Sequence, residues 1–192
     1  MRKDFYVFRH GETDLNRQKR WQGSGMDHDL NQNGRAQAES LTEKLAGKGI
    51  EIVFSSPLLR AKHTAEALGR ALDVPVIVKP ELRECFYGDA EGKLISDLQR
   101  EVPEVVNNWN RSEYWDIRFP NGESKKEALD RVWSELENLT AEPYRVMGVA
   151  IHGGTMAAML NRLHYEFEKL ANCAVFHLVY EDGKWSAEGQ VF

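Results

Sequence analysis

The chain has 192 residues, with 25 Lys and Arg against 30 Asp and Glu, which gives a formal net charge of −5. This length fits one compact domain, residues 1–192, and the 42% of hydrophobic residues can supply a sizeable core. The acidic balance argues against a general nucleic-acid-binding protein, which normally shows a basic patch. It does not exclude small anionic substrates, because those respond to local charge.

Neither a targeting segment nor a membrane span is expected from the apolar runs. The first run stops at Arg9, and the longest stretch without a charged side chain, 146–161, is shorter than a bilayer requires. Two cysteines, Cys85 and Cys173, are too few for a disulfide scaffold and fit a reducing compartment. We therefore expect a cytoplasmic protein with no membrane and no nucleic-acid partner.

In the first half of the chain, short apolar runs alternate with helical patterns. The predicted order is a strand over 5–8, a loop to about residue 30, a helix capped by Asn31 and ending near 47–49, a strand over 50–54, a helix opening with Ser56 and Pro57, and a strand over 74–78. Continuous apolar strands are typical of a sheet buried on both faces. Pro75 predicts that the third strand lies at an edge or begins there.

The second half contains further elements of both kinds. They are a short helix around 94–102, an aromatic stretch over 109–119, a helix over 129–139, a strand over 146–151, a helix over 155–163, a strand over 174–180 and, after the Asp182-Gly183 turn, a strand over 184–190. This alternation predicts an α/β fold, a three-layer αβα sandwich with a mostly parallel sheet and an antiparallel edge. We interpret about 93–122 as a short lid insertion. The aromatic stretch fits lid or core, and its lack of helical periodicity favours the lid.

Three predicted strands run into polar residues that suit an anion. Arg9 and His10 follow the first strand, Arg60 follows the second, and His152 and Gly153 follow the fourth. Open α/β sheets bind ligands beyond the carboxyl ends of their strands, so we expect these residues to converge. A helix N-terminus favours an anion, and the arginine fork matches phosphate. The pattern predicts a phosphoryl-binding site.

Such a site indicates transfer of the phosphoryl group to histidine. Two nearby arginines lower the pKa of a histidine and keep it neutral, and a neutral imidazole can attack phosphorus. The arginines and the second histidine would stabilise charge on the phosphoryl oxygens. The leaving oxygen also needs a proton from a carboxylic acid. The residues alone leave four candidates for that acid: Glu12, Glu84, Asp89 and Glu91.

The order of these motifs resembles the histidine phosphatase (phosphoglycerate mutase-like) superfamily. The matching pieces are Arg9-His10-Gly11-Glu12-Thr13, Asn16 with Arg20-Trp21-Gln22-Gly23, Leu30 with Gly34, Gln37 and Ala38, Ser56-Pro57-Leu58-Leu59-Arg60-Ala61 with Thr64-Ala65, Leu82-Arg83-Glu84 with Gly88 and Glu91-Gly92, Gly122-Glu123-Ser124, and His152-Gly153. A single RHG tripeptide is common by chance, whereas an ordered series of such pieces at fitting spacings is a specific signal. The resemblance covers nearly the whole chain.

The resemblance implies roles for nine residues. His10 would be the nucleophile and Glu84 the proton donor, and no metal or cofactor is implied. The remaining implied contacts are Arg9, Arg60 and His152 to the phosphoryl group, and Asn16, Gln22, Gly23 and the Gly153 N–H as supplementary contacts. The sequence departs from the family pattern around Ser24–Met26 and at Asp29 and Ala90, which places the differences at the substrate entrance.

Three functions fit this resemblance. A phosphatase of a small phosphomonoester is favoured, because the lid carries Arg111 and Arg118 among Glu113 and Asp116 and is close to neutral. A phosphoglycerate mutase using the same phosphohistidine needs extra basic residues there, and the mutases of the family carry a longer insertion. A non-catalytic phosphate-binding module is the third alternative, although every chemical group is present. The sequence specifies neither the natural substrate nor the oligomeric state.

Overall fold

The computed structural model describes residues 1–191 and contains six strands and seven α-helices within that range. The strands are β1 (Lys3–Arg9), β2 (Ile52–Ser55), β3 (Val76–Val78), β4 (Val146–Ile151), β5 (Val175–Glu181) and β6 (Lys184–Gln190). The helices are α1 (Asp14–Arg17), α2 (Gln32–Leu45), α3 (Leu59–Leu72), α4 (Ile95–Glu101), α5 (Pro103–Asn108), α6 (Lys125–Leu139) and α7 (Gly153–Arg162). Among the described residues, none of these helices has the length and apolar character of a membrane span.

All six strands form one sheet in the order β3-β2-β4-β1-β5-β6. The first four strands of that order are parallel to one another, whereas β5 is antiparallel to both β1 and β6. The predicted α/β fold with a mostly parallel sheet and an antiparallel edge is confirmed. β3 lies at an edge, as Pro75 predicted.

Helices cover both faces of the sheet. On β1, Phe5 and Val7 face the side covered by α6 and α7, whereas Tyr6 and Phe8 face the side covered by α2 and α3. Alternate residues of a strand point to opposite faces, so burial on both sides requires an apolar residue at every position. This packing explains the continuous apolar run that identified the strand in the sequence.

Two helix starts show what local patterns can and cannot predict. Asn31 caps α2 as predicted, and its side chain accepts a hydrogen bond of 2.8 Å from the Gly34 N–H. The predicted start of the next helix at Ser56 and Pro57 is wrong, because α3 begins at Leu59. The Leu59 N–H donates instead to Oδ1 of Asp27, at 2.7 Å. A cap supplied from a distant loop leaves no signal in the local sequence.

The region 93–122 contains two short helices where the sequence predicted one. Pro103 begins α5 directly after α4, because proline suits a first helical turn and cannot continue the preceding helix. Trp109 and Phe119 are buried beside Tyr87 in a separate apolar cluster, whereas Tyr114 is 37% exposed. The two ends of the aromatic stretch are therefore core, and its role as a lid stays a prediction.

Candidate active site

The strand order brings three chain segments together at one edge of the sheet. Because β4 lies between β1 and β2, His152 at the end of β4 is next to both His10 and Ser56. The ring centroids of His10 and His152 are 5.2 Å apart, and Nε2 of His152 lies 2.6 Å from Oγ of Ser56. The predicted convergence of polar residues at the carboxyl ends of the strands is present.

The His10 ring is held in one orientation and in one tautomer. Its Nδ1 lies 2.7 Å from the carbonyl oxygen of Gly11. A carbonyl only accepts hydrogen bonds, so Nδ1 carries the proton and Nε2 of the neutral ring keeps its lone pair. Burial, followed by the nearby Arg60 and Arg9 charges, lowers the pKa of His10 well below 6.5. The ring is therefore neutral at pH 7, and the lone pair of its Nε2 is not used by the Gly11 contact.

His152 is the end of a short hydrogen-bond chain. The Leu58 N–H donates to Oγ of Ser56 at 3.3 Å, which leaves the Ser56 hydroxyl free to donate to Nε2 of His152. In that arrangement Nδ1 of His152 carries the proton, and this buried atom has no partner among residues 1–191. Burial first, and then the Arg60 charge, lowers the pKa of His152 well below 6.5. His152 is thus a neutral hydrogen-bond donor.

Both arginines have some donors committed and others unused. Arg9 donates from Nη1 to the carbonyl of Leu170 at 2.6 Å, and Arg60 donates from its two Nη atoms to the carbonyls of Met26 and Gly23 at 3.0 and 3.1 Å. Within the described chain, Nε of each arginine is buried without a partner. Burial lowers the pKa of Arg60 to about 10, so it remains charged. The two Nη atoms of Arg60, which were expected to form a forked contact with phosphate, donate here to loop carbonyls.

Glu84 lies against the N-terminus of α7. Its Oε2 accepts from the Gly154 N–H at 2.9 Å, and its Oε1 accepts from the Thr155 and Cys85 N–H groups, both at 3.0 Å. A Cβ at Gly154 would lie 1.9 Å from the Tyr87 hydroxyl and 3.1 Å from Oε1 of Glu84. Glycine therefore lets both side chains lie close to the start of α7. Burial raises the pKa of Glu84 despite these donors. A raised pKa is what a carboxyl needs to carry a proton to a leaving group.

The other three candidate acids have structural partners elsewhere. Glu12 accepts from the Asn31 side chain, Asp89 accepts from Asn121, and Glu91 accepts from the Gly25 and Tyr87 N–H groups. None of the three is among the residues of the described chain that line the cleft, whereas Glu84 is. The geometry therefore separates Glu84 from alternatives that the residues alone left open.

Arg131 and Glu123 fix the segment that carries Glu84. Arg131 donates to the carbonyls of Glu81, Arg83 and Glu84 at 2.7, 2.9 and 3.4 Å, and to the Glu123 carboxylate at 3.0 Å. The same carboxylate accepts from the Phe86 N–H at 2.9 Å. The Gly122-Glu123-Ser124 motif thus acquires a physical role, since Glu123 holds this segment and Ser124 caps α6.

A cleft of about 480 Å³ opens over these groups. Six of the nine predicted site residues line it: Arg9, His10, Asn16, Gln22, Glu84 and Gly153. The other three are buried and do not line it: Gly23, Arg60 and His152. A Cβ at Gly23 would lie 2.1 Å from Oε1 of Glu91, and its carbonyl binds Arg60. We use the name cleft floor for four side chains: Arg9 and His10, which line the cleft, and Arg60 and His152, which are buried next to them.

The cleft also contains residues that the sequence analysis missed. They include Lys19, Tyr87, Lys169 and Asn172, and Trp109 and Asn110 join them from the stretch that was predicted only as a lid. Asn172 is directly linked to the site, because its amide donates to the His10 carbonyl at 3.1 Å. The loop 163–174 reaches this edge because it precedes the antiparallel β5, and no sequence motif marks it. We call the exposed residues Lys19, Asn110 and Lys169 the cleft rim.

Across residues 1–191, no group of three or more His, Cys, Asp or Glu side chains is arranged to hold an ion. The expectation of metal-independent chemistry stays a prediction, which hydrolysis in the presence of a chelator would test.

Comparison with known proteins identifies the family. The model of the histidine phosphatase superfamily (branch 1) matches residues 5–191. The uncharacterised phosphatase PhoE of Bacillus subtilis (strain 168) is 30% identical over 93% of this chain and 89% of its own, and the probable phosphoglycerate mutase GpmB of Salmonella paratyphi B is 32% identical over 97% and 89%. A mycobacterial glucosyl-3-phosphoglycerate phosphatase solved with VO3 superposes with a TM-score of 0.87 at 27% identity, covering 97% of this chain and 98% of its own. On this evidence the protein is an enzyme of the histidine phosphatase superfamily, with a phosphoglycerate mutase-like fold.

Proposed function

We propose that the protein hydrolyses a small phosphomonoester through a covalent phosphohistidine on His10, without a metal ion. The observation that carries this proposal is the fixed, neutral His10 ring, whose Nε2 is left free by the hydrogen bond from Nδ1 to Gly11. A lone pair held in a buried, positively charged site is suited to attack on phosphorus.

The first step transfers the phosphoryl group to the enzyme. Nε2 of His10 forms a bond to phosphorus as the ester P–O bond breaks, and the proton on Oε2 of Glu84 passes to the leaving oxygen. In the second step water attacks phosphorus and the P–N bond breaks. The Glu84 carboxylate takes the proton from that water, which returns the enzyme to its starting state and releases phosphate.

The unused donors of the floor would bind the phosphoryl oxygens. Nε of Arg9, Nε of Arg60 and Nδ1 of His152 are buried and unpartnered in the described chain, at a cost of about 1 to 3 kcal/mol for each group. An anion supplies the acceptors that these groups lack. The Gly153 N–H at the start of α7 adds a further donor and the positive end of the helix dipole. Asn16 and Gln22 line the cleft as supplementary contacts.

Hydrolysis is favoured over the mutase reaction by the position of the basic residues in 93–122. Arg111 pairs with Glu113 at 3.6 Å, and Arg118 pairs with Glu127 at 3.4 Å. Neither arginine is among the described residues that line the cleft. A mutase must retain a doubly anionic intermediate, and these two arginines are not placed to hold one. The relatives include both a named phosphatase and a named mutase, so the assay must separate the two reactions.

The proposed partner is a small phosphorylated metabolite, with no nucleic-acid or membrane partner. The two cysteines, Cys85 and Cys173, are both free thiols. Free thiols persist in reducing compartments, which favours the cytoplasm as the location.

The decisive assay is hydrolysis of p-nitrophenyl phosphate in the presence of EDTA. We expect turnover to persist with the chelator, and His10→Gln to lose at least about a thousandfold in rate together with its acid-labile phosphoryl label. His28→Gln, at an exposed position, is the matched control. Activity that requires added metal, or labelling that survives in His10→Gln, would overturn the proposal. Incubation with 3-phosphoglycerate and a bisphosphate primer tests the mutase alternative, which predicts 2-phosphoglycerate without phosphate release.

A further inference from the structure

Lys125 is a buried lysine that the proposed chemistry does not use. It is the first residue of α6, its side chain is 0% exposed, and its ammonium group donates to the carbonyl of Arg111 at 2.7 Å. The same ammonium lies 4.6 Å from the centroid of the Trp115 ring, in a cation–π contact. Both partners belong to the aromatic stretch 109–119, so this lysine joins the stretch to α6.

Burial of this amine opposes folding. The loss of water lowers the pKa of Lys125 to about 8, although the charge of Glu113 acts in the opposite direction. Glu113 itself pairs with Arg111 at 3.6 Å. At pH 7 the amine is still charged, and it contacts a carbonyl and an aromatic ring. An apolar side chain of similar length avoids the cost of burying a charge. The stability of the core therefore does not explain a lysine at this position.

A second buried side chain binds the neighbouring carbonyl from a different helix. Asn161 of α7 is 7% exposed, and its amide donates to the carbonyl of Asn110 at 3.0 Å. Two consecutive carbonyls are thus bound by side chains of α7 and α6. Trp109 and Asn110 line the cleft, and we call these two residues the cleft end of the stretch. The backbone beside the cleft is therefore attached to the interior of the fold by two hydrogen bonds.

The helices that provide these donors also support the catalytic groups. α7 begins at Gly153, and α6 carries Arg131, which donates to the carbonyl of Glu84 at 3.4 Å. Both helices pack on the same face of the sheet. Residues 110–114 are exposed, so few packing contacts hold them. The two donors therefore fix an exposed part of the stretch relative to the catalytic groups.

We propose that Lys125 and Asn161 are positioning residues that hold the cleft end of the stretch against the leaving group of the substrate. This inference rests on the proposed phosphatase function. The floor binds the phosphoryl group, so the leaving group extends along the other residues that line the cleft. Loss of either donor should weaken binding of the ester and leave the phosphoryl transfer step unchanged, because the floor has its own hydrogen bonds.

Two variants remove one donor each. Lys125→Met keeps the length of the side chain and loses the ammonium, and Asn161→Leu keeps the size and loses the amide. Each should raise KM for p-nitrophenyl phosphate about threefold to tenfold, with kcat changed less than about twofold. The inhibition constant of inorganic phosphate should change less than about twofold, because phosphate has no leaving group to contact the stretch. Lys126→Met, at the exposed neighbouring position, is the control.

Amide hydrogen exchange provides a measurement that does not depend on turnover. Exchange in a peptide covering 109–119 should be faster in both variants and unaltered in Lys126→Met, while exchange in β4 stays slow. The free energy of unfolding in urea should not fall in Lys125→Met, because a buried charge is removed. A purely structural role would lower stability and would raise KM and the phosphate inhibition constant together.

The outcomes separate the inference from the function on which it rests. If the unmodified protein does not hydrolyse p-nitrophenyl phosphate, the proposed function fails, and exchange over 109–119 still shows whether the two donors hold the stretch. If that ester is hydrolysed, an unchanged KM in a folded variant refutes the role of the residue that was replaced. A phosphate inhibition constant that rises with KM refutes the positioning role as well, and the phosphatase function remains. Because the donors come from different helices, the second variant decides if the first does not fold.

Discussion

The floor and the rim of the cleft are built in different ways. Each floor side chain is held by hydrogen bonds to the fold, as His10 is by Gly11 and His152 by Ser56. The rim lysines, Lys19 and Lys169, are exposed and have no such partner in the described chain. A floor of this kind is suited to a chemical step that requires fixed geometry, whereas an adaptable rim is suited to selecting among substrates.

Glu84 belongs to neither the floor nor the rim. Its substitution is expected to have the largest effect on the rate of hydrolysis. Glu84→Gln should slow alkyl phosphomonoesters about 10² to 10⁴-fold and activated aryl esters much less, because a good leaving group needs little protonation. Steady-state rates on glycerol 3-phosphate and p-nitrophenyl phosphate measure the difference. Glu81→Gln, an exposed neighbour, is the control. Equal slowing of both substrates would show that the floor acts without an acid from Glu84.

Arg131 tests whether a residue outside the cleft can act through the position of Glu84. Arg131→Met removes the donors to the Glu81, Arg83 and Glu84 carbonyls, and kcat should fall about tenfold to a hundredfold with KM little changed. The free energy of unfolding should also fall by about 2 to 3 kcal/mol.

Kinetics and urea denaturation of the Arg131 variant provide these two measurements. Lys126→Met, exposed on the same helix, is the control. A purely structural role would lower stability and leave kcat and its pH profile unchanged in the folded fraction.

The buried, neutral histidines of the floor make stability depend on pH. The pKa values of His10 and His152 are well below 6.5 in the folded protein, so below pH 6.5 the unfolded chain binds protons that the folded chain does not. The free energy of unfolding should therefore fall as pH drops, by up to about 1.4 kcal/mol per pH unit for each histidine. Above pH 6.5 this contribution is constant.

Urea titrations at pH 5.0 to 6.5 measure that slope. His152→Gln should reduce it by about 1.4 kcal/mol per pH unit, whereas the exposed His28→Gln provides the comparison. An unchanged slope in His152→Gln would mean that the ring is already charged in the folded protein, which would contradict a neutral floor.

Much of the fold and of the floor was predictable because local patterns determine them. The apolar run of β1 and the cap at Asn31 both depend on residues close in sequence, and both were predicted. The predicted start of α3 was wrong because the first N–H of the helix, that of Leu59, donates to Asp27, which is 32 residues away in the sequence. Ser56, which the sequence suggested as the cap, accepts from the Leu58 N–H and also contacts His152.

The sequence by itself determined the α/β class and the set of floor residues, because buried parallel strands leave a continuous apolar signal and their ends collect the ligand-binding groups. Tertiary structure alone decided which carboxyl lies beside α7 and which cations line the cleft. The hydrogen bonds from Arg131 hold the segment that places Glu84 against α7. Lys169 lies in the cleft because it is on the loop before the antiparallel β5. Contacts between distant segments depend on packing and strand order, which no local pattern encodes.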